Sequence, residues 1–177
     1  MKGKGLGPAR PVLCRDLCQA ALNYARNGWP VFPVHGIRDG RCTCANPECP
    51  HPGKVPWTPH GFKDASIDGL VIRAWWTRWP DANIGFATGR YVVLDVDGPE
   101  GEKALAELEA KHGKLPATLT ARTGKGRHLY FDANGAKVRN SAGKLGPHID
   151  VRGEGGYTIL PPSFHENGNR YEWINQG

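Results

Sequence analysis

What the chain lacks narrows it first. No run approaches the roughly 18 apolar residues that a membrane span requires, and Met1–Arg10 (MKGKGLGPAR) has no apolar stretch such as a secretory leader carries. A soluble, cytoplasmic protein with no membrane partner is therefore expected. Cysteine is scarce and odd in number, five in 177 residues. Without a secretory signal this argues against a disulfide framework and leaves metal binding as the better use of the thiols. No internal repeat and no long linker is seen, and the length fits one domain plus a small appendage, so no second large domain is expected within these 177 residues. Acids are in deficit, 17 Asp and Glu against 23 Lys and Arg for a formal charge of +6. That balance suits a polyanionic partner such as nucleic acid or nucleotides.

What is present supports a packed core, since 39% of the residues are hydrophobic and six are Trp. The abundant Gly and Pro punctuate short apolar runs, as in a turn-rich fold with strands. Residues 1–9 read as a flexible basic tail. Leu13, Leu17, Ala20, Ala21 and Tyr24 recur at helical spacing up to Gly28, which predicts an amphipathic helix. Trp29–Val34 (WPVFPV) reads as a strand that its prolines confine to a sheet edge. A second helix, capped by Ser66 or Asp68 and stopped by Pro80, carries Ile72, Trp75, Trp76 and Trp79 on one face. Core packing explains that face most simply, although an exposed Trp could stack a base. Asn83–Thr88 and Tyr91–Val96 read as adjacent strands. Pro99–His112, with early acids and Gly113 beyond its end, reads as a helix. Leu119–Arg122 and Arg127–Asp132 form a predicted hairpin, and runs at 149–152, 157–160 and 171–174 complete a strand-rich second half.

Three segments can carry chemistry. In Leu94-Asp95-Val96-Asp97-Gly98, strand periodicity puts both carboxylates on one face and Leu94 and Val96 on the other. Two like charges so placed resist ionisation unless a divalent cation lies between them, and Mg²⁺ or Mn²⁺ suits such hard oxygen ligands. A solvent-facing edge strand is the structural alternative. Thr123–His128 (TGKGRH) is a cationic glycine-rich turn that does not match the P-loop spacing. Its backbone N–H groups, with Lys125, Gly126, Arg127 and His128, could cradle a polyphosphate, or its basic groups could simply be hydrated. Asp150 follows Ile149 on another short apolar run, where a turn or capping role is equally open.

Taken together these elements resemble the archaeo-eukaryotic primase superfamily, and within it the bifunctional primase/polymerase N-terminal domains (prim-pol) of plasmid, phage and mobile-element replication proteins. The resemblance rests on Gly28–Pro33 (GWPVFP), Gly53-Lys54, Trp75-Trp76, Asn83–Gly89 (NIGFATG), Leu94–Gly98, Gly124–Phe131 (GKGRHLYF), Ile149–Gly156 (IDVRGEGG) and Pro161–Ser163. It covers most of residues 17–173. It implies an α+β fold over residues 10–177, with an RRM-like catalytic sheet flanked by helices, acting as a DNA polymerase and primase on a single-stranded DNA template, a primer and dNTP or NTP. It further implies that Asp95, Asp97 and Asp150 hold catalytic Mg²⁺ or Mn²⁺ and that His128 contacts the triphosphate. Lys125, Arg127 and Arg152 are the candidate phosphate clamps. The implied reaction is in-line attack of a primer 3′-hydroxyl on the α-phosphorus, with two metals about 3.5–4 Å apart stabilising the attacking and departing oxygens. Many relatives have a small residue where Lys125 or Arg127 stands, a departure compatible with phosphate binding. A C-terminal helical or helicase domain usually accompanies such domains.

Residues 35–59 have little periodicity and concentrate Cys, Gly and Pro, so they read as a zinc-binding insertion. Cys42, Cys44, Cys49 and His51 offer a Cys₃His set for structural Zn²⁺, with His35 as the rival fourth ligand. A loop of reduced thiols is the alternative. Cys14 and Cys18, four apart on the first helix, read as small buried apolar groups. Two other functions compete with the polymerase: a non-catalytic zinc-containing module that binds single-stranded nucleic acid, and a metal-dependent nuclease or phosphohydrolase using the same acids.

Overall fold

The computed structural model describes residues 13–175, so the expected basic tail lies outside the described residues. The elements in chain order are α1 (Leu13–Arg26), β1 (Val31–Val34), β2 (Ile37–Arg38), β3 (Arg41–Cys42), a short 3₁₀ turn (Gly61–Asp64), α2 (Gly69–Arg78), β4 (Asn83–Ala87), β5 (Tyr91–Asp97) and α3 (Gly98–His112). There follow β6 (Leu119–Arg122), β7 (Gly126–Asp132), β8 (Ser141–Gly146), β9 (Ile149–Arg152), β10 (Tyr157–Leu160) and β11 (Glu172–Asn175). The fold is α+β with antiparallel sheets, as expected. No helix among the described residues is long and apolar enough to cross a membrane.

Local chemistry accounts for the helices. Asp68 caps α2 by accepting a hydrogen bond from the Leu70 amide at 2.8 Å. Pro99 opens α3 and Gly113 closes it. Ile72 and Trp76 are buried on α2 against Leu17, Ala21, Leu22 and Ala25 of α1. Core packing is therefore the role of that tryptophan face, and Trp79 stacks on Trp57 with centroids 5.0 Å apart.

Two sheets share the main core. A three-stranded sheet runs β1-β4-β10, and a six-stranded sheet runs β11-β6-β7-β5-β9-β8. The proline-bearing β1 is an edge strand, as expected. Trp29 lies between the sheets, its ring 4.7 Å from Phe86, 5.0 Å from Tyr91 and 5.7 Å from Tyr130. Such aromatic clusters add to area burial and fix how layers meet. A second core lies on the opposite face of the larger sheet, where Val96, Leu129 and Ile149 are covered by Ala104 and Leu105 of α3.

One expectation is corrected. β4 and β5 follow each other in sequence but do not pair: β4 lies between β1 and β10, and β5 between β7 and β9. Both edges of each strand are already satisfied by distant partners, so the chain passes from one sheet to the other at Gly89-Arg90. β8 was not foreseen, because SAGKLG lacks alternating apolar residues and its side chains are largely exposed.

Candidate active site

The centre of the larger sheet gathers the polar residues that periodicity placed on one face. Asp95 of β5 stands in register with His128 of β7 on one side and Asp150 of β9 on the other. His128 Nε2 lies 3.3 Å from Asp95 Oδ1 and His128 Nδ1 lies 3.2 Å from the Tyr130 hydroxyl. Burial pushes the Tyr130 phenol well above its ordinary value, so it remains a donor. The imidazole of His128 thus bridges the Asp95 carboxylate and the Tyr130 hydroxyl. Asp97 sits at the cap position of α3, yet its side chain makes no capping bond. The following turn is tied to it: Gly98 N donates to the Lys125 carbonyl at 3.1 Å, and Gly126 faces Asp97 across the ladder. A Cβ at Gly126 would lie 1.9 Å from the Val96 carbonyl oxygen, so only glycine lets the turn close over the end of β5.

The two acids of β5 differ electrostatically. Burial opposes ionisation of Asp95, but His128, Arg152 and Lys54 outweigh it and hold the carboxyl below its usual range. Asp97 is pushed up, first by burial and then by the charge of Asp95. Asp150 accepts from Arg152 at 2.8 Å and from the Gly143 amide at 3.0 Å. The three carboxylates share a face but do not gather as tightly as the thiols described below. A cleft of about 300 Å³ opens over Asp95 and His128, bounded by Lys54, Arg152, Tyr157 and Tyr171. The Tyr171 phenol is raised by burial and then by Asp95 and Asp97, so it stays protonated as a donor. Hard oxygen donors in adjacent positions, with Asp97 uncommitted to its helix, fit a divalent cation.

A model of the family described as bifunctional DNA primase/polymerase, N-terminal (Prim-Pol) matches residues 21–177. The chain belongs to this family. It is a DNA primase/polymerase, a nucleotidyltransferase, and the family implies a DNA template, nucleotide substrates and divalent metals. A comparison with curated proteins finds no match.

Within this Prim-Pol domain the predicted residues divide. Asp95, His128, Asp150 and Arg152 meet at the cleft face, and Asp97 continues it at the strand end. Arg127 does not: its guanidinium forks onto Glu102 of α3 at 2.7 and 2.8 Å, on the other face of the sheet. The reason is periodicity, since Arg127 lies between Gly126 and His128 and must point away from His128. Lys125 pairs with Glu166 at 3.5 Å at the exposed turn, where its charge still reaches Asp97. The turn amides of Lys125 and Gly126 are spent on the Thr123 hydroxyl, at 3.3 and 2.9 Å. They are therefore not a preformed phosphate cradle. Lys54 and Tyr171 line the cleft without having been singled out; Gly53-Lys54 was a visible motif, but nothing local assigns its side chain a destination.

The insertion brings Cys42, Cys44 and Cys49 together, their Sγ atoms within 4.8 Å of one another. The Asn46 amide lowers the Cys44 thiol, while burial and the neighbouring thiols push Cys49 up to about 11. Three thiols so close fit a zinc ion, which would favour their deprotonated forms. Among the described residues, neither expected fourth ligand lies within that spacing of all three thiols. His51 lines the cleft, and His35 is held 3.0 Å from the Thr43 hydroxyl and stacked 3.6 Å from Trp57. Cys18 is half-buried in the first core, and the Cys14 side chain lies outside the described residues.

Proposed function

We propose that this Prim-Pol domain extends a primer along a single-stranded DNA template, serving replication of a plasmid, phage or mobile element beside a helical or helicase partner domain. The observation that carries this reading is the registered trio of Asp95 between His128 and Asp150, facing a cleft bordered by cations. The six-stranded sheet is then the RRM-like catalytic sheet. Asp95, Asp97 and Asp150 would hold Mg²⁺ or Mn²⁺. Bound there, two such ions would neutralise the triphosphate and favour ionisation of the attacking 3′-hydroxyl. The chain's own part is positioning: His128 offers an imidazole nitrogen at the acid edge, Tyr171 a neutral O–H, and Arg152 a cation braced on Asp150. Lys125 lies at the rim. Arg127, bound to Glu102 on the far face, takes no part in this reading.

Stepwise extension of a labelled primer with dNTPs and Mg²⁺ or Mn²⁺, with pyrophosphate released only when template is present, is the expected result. Template-independent release of phosphate would point instead to a phosphohydrolase, and strand binding without extension to a binding module.

The thiols would bind one structural Zn²⁺, with the fourth position supplied from outside the triad. Zinc near one per chain is expected by metal analysis, and a Cys44→Ser variant is expected to lose it. Native protein purified without chelator and free of zinc would refute the assignment.

A further inference from the structure

We infer that Lys54 is a substrate-contacting residue that grips the polyphosphate of the incoming nucleotide. The assignment rests on the reading of the cleft as the nucleotide site. Its first support is how firmly the backbone is held. Lys54 N donates to the His51 carbonyl at 3.1 Å, and the Lys54 carbonyl accepts from the Tyr157 hydroxyl at 3.0 Å. The preceding carbonyl, of Gly53, accepts from Asn83 Nδ2 at 3.0 Å, and Asn83 is fully buried. Gly53 itself has φ of +73°, with the Asn83 amide and Ile37 only 3.2 Å from where a Cβ would stand. A lysine at this position is thus delivered to the cleft wall by fixed backbone and not by a mobile loop.

The second support is charge. The other cations near the acids are paired: Arg152 with Asp150 and Lys125 with Glu166. Lys54 forms no ion pair among the described residues, although it lines the same cleft as Asp95 and His128. A lysine on the wall of the cleft that holds Asp95 and His128, without a carboxylate of its own, is available to the phosphates of a nucleotide bound there. Lysine suits that task as a compact point charge with rotatable donors. A phosphate of the template strand has the same chemistry, so the two sources must be separated experimentally.

The test uses the full chain and its Lys54→Ala and Lys54→Arg variants. It measures extension kinetics, binding of a fluorescent deoxynucleoside triphosphate, binding of a labelled single strand, and the thermal midpoint. Loss of one charge-assisted contact is expected to raise the nucleotide KM and Kd by about tenfold in Lys54→Ala. Lys54→Arg is expected to recover part of that loss, with strand affinity and thermal midpoint unchanged. Were Lys54 only balancing the acids, the thermal midpoint would fall while the nucleotide Kd stayed constant, and the assignment would be overturned. A penalty confined to the single strand would overturn it in favour of a template contact. A wild-type protein that neither binds the triphosphate nor extends a primer would overturn the nucleotide-site reading itself, and this assignment with it.

Discussion

Asp95→Asn and Asp97→Asn are each expected to reduce template-directed extension by about a thousandfold or more, equivalent to about 4 kcal/mol of lost transition-state stabilisation. The substitution keeps shape and an acceptor oxygen while removing the charge that a divalent cation requires. Their effects on stability, measured in chelator, should run in opposite directions. Asp95 is more acidic in the fold than its ordinary value, so its ionised form is favoured there and neutralising it should lower the thermal midpoint. Asp97 is less acidic in the fold, so its charge opposes folding and Asp97→Asn should leave the midpoint equal or higher. A stabilised but inactive Asp97→Asn protein would separate catalysis from folding at a single residue. Extension retained by either variant would remove the metal assignment.

Asn83→Ala should be strongly destabilising although it lies outside the cleft. Asn83 is completely buried at the start of β4 and donates through Nδ2 to the carbonyls of Gly53 at 3.0 Å and Phe164 at 2.8 Å. Its Oδ1 accepts from the Phe164 amide at 2.9 Å. One side chain therefore ties the end of the cysteine insertion and the loop after β10 to the smaller sheet. Alanine would leave these backbone groups buried and unpaired, at a cost of about 3 kcal/mol or more. For a chain of this size that corresponds to a fall of about 6–12 °C in Tm. Nucleotide affinity should fall with it, because Gly53 fixes the backbone that carries Lys54. Thermal unfolding followed by circular dichroism would check the first effect, and a fall of less than about 2 °C would contradict it.

Much of this molecule is legible locally. The spacing of Leu17, Ala21 and Tyr24, the cap at Asp68, and the Pro99 and Gly113 boundaries all act within a few residues, so the helices could be read directly. The alternation that puts Asp95 and Asp97 on one face is equally local. The same parity, applied one step further, would have sent Arg127 to the other face, where Glu102 holds it. That β4 and β5 belong to different sheets was not legible, because strand pairing is settled by which distant edges compete for the same hydrogen bonds. Nor was the exposed β8, whose residues carry no apolar rhythm.

The amino-acid sequence by itself determined the α+β class, the acid face of β5, the hairpin ending in His128, the cysteine-rich insertion and the family. Only the tertiary structure decided that His128 and Asp150 flank Asp95 in register, that Lys54 and Tyr171 line the same cleft, and that Cys42, Cys44 and Cys49 come together. The physical reason is range. Propensity, capping and periodicity act through neighbouring dihedrals, whereas a site assembled from residues 54, 95, 128, 150 and 171 depends on the burial and ladder hydrogen bonds that bring distant segments together.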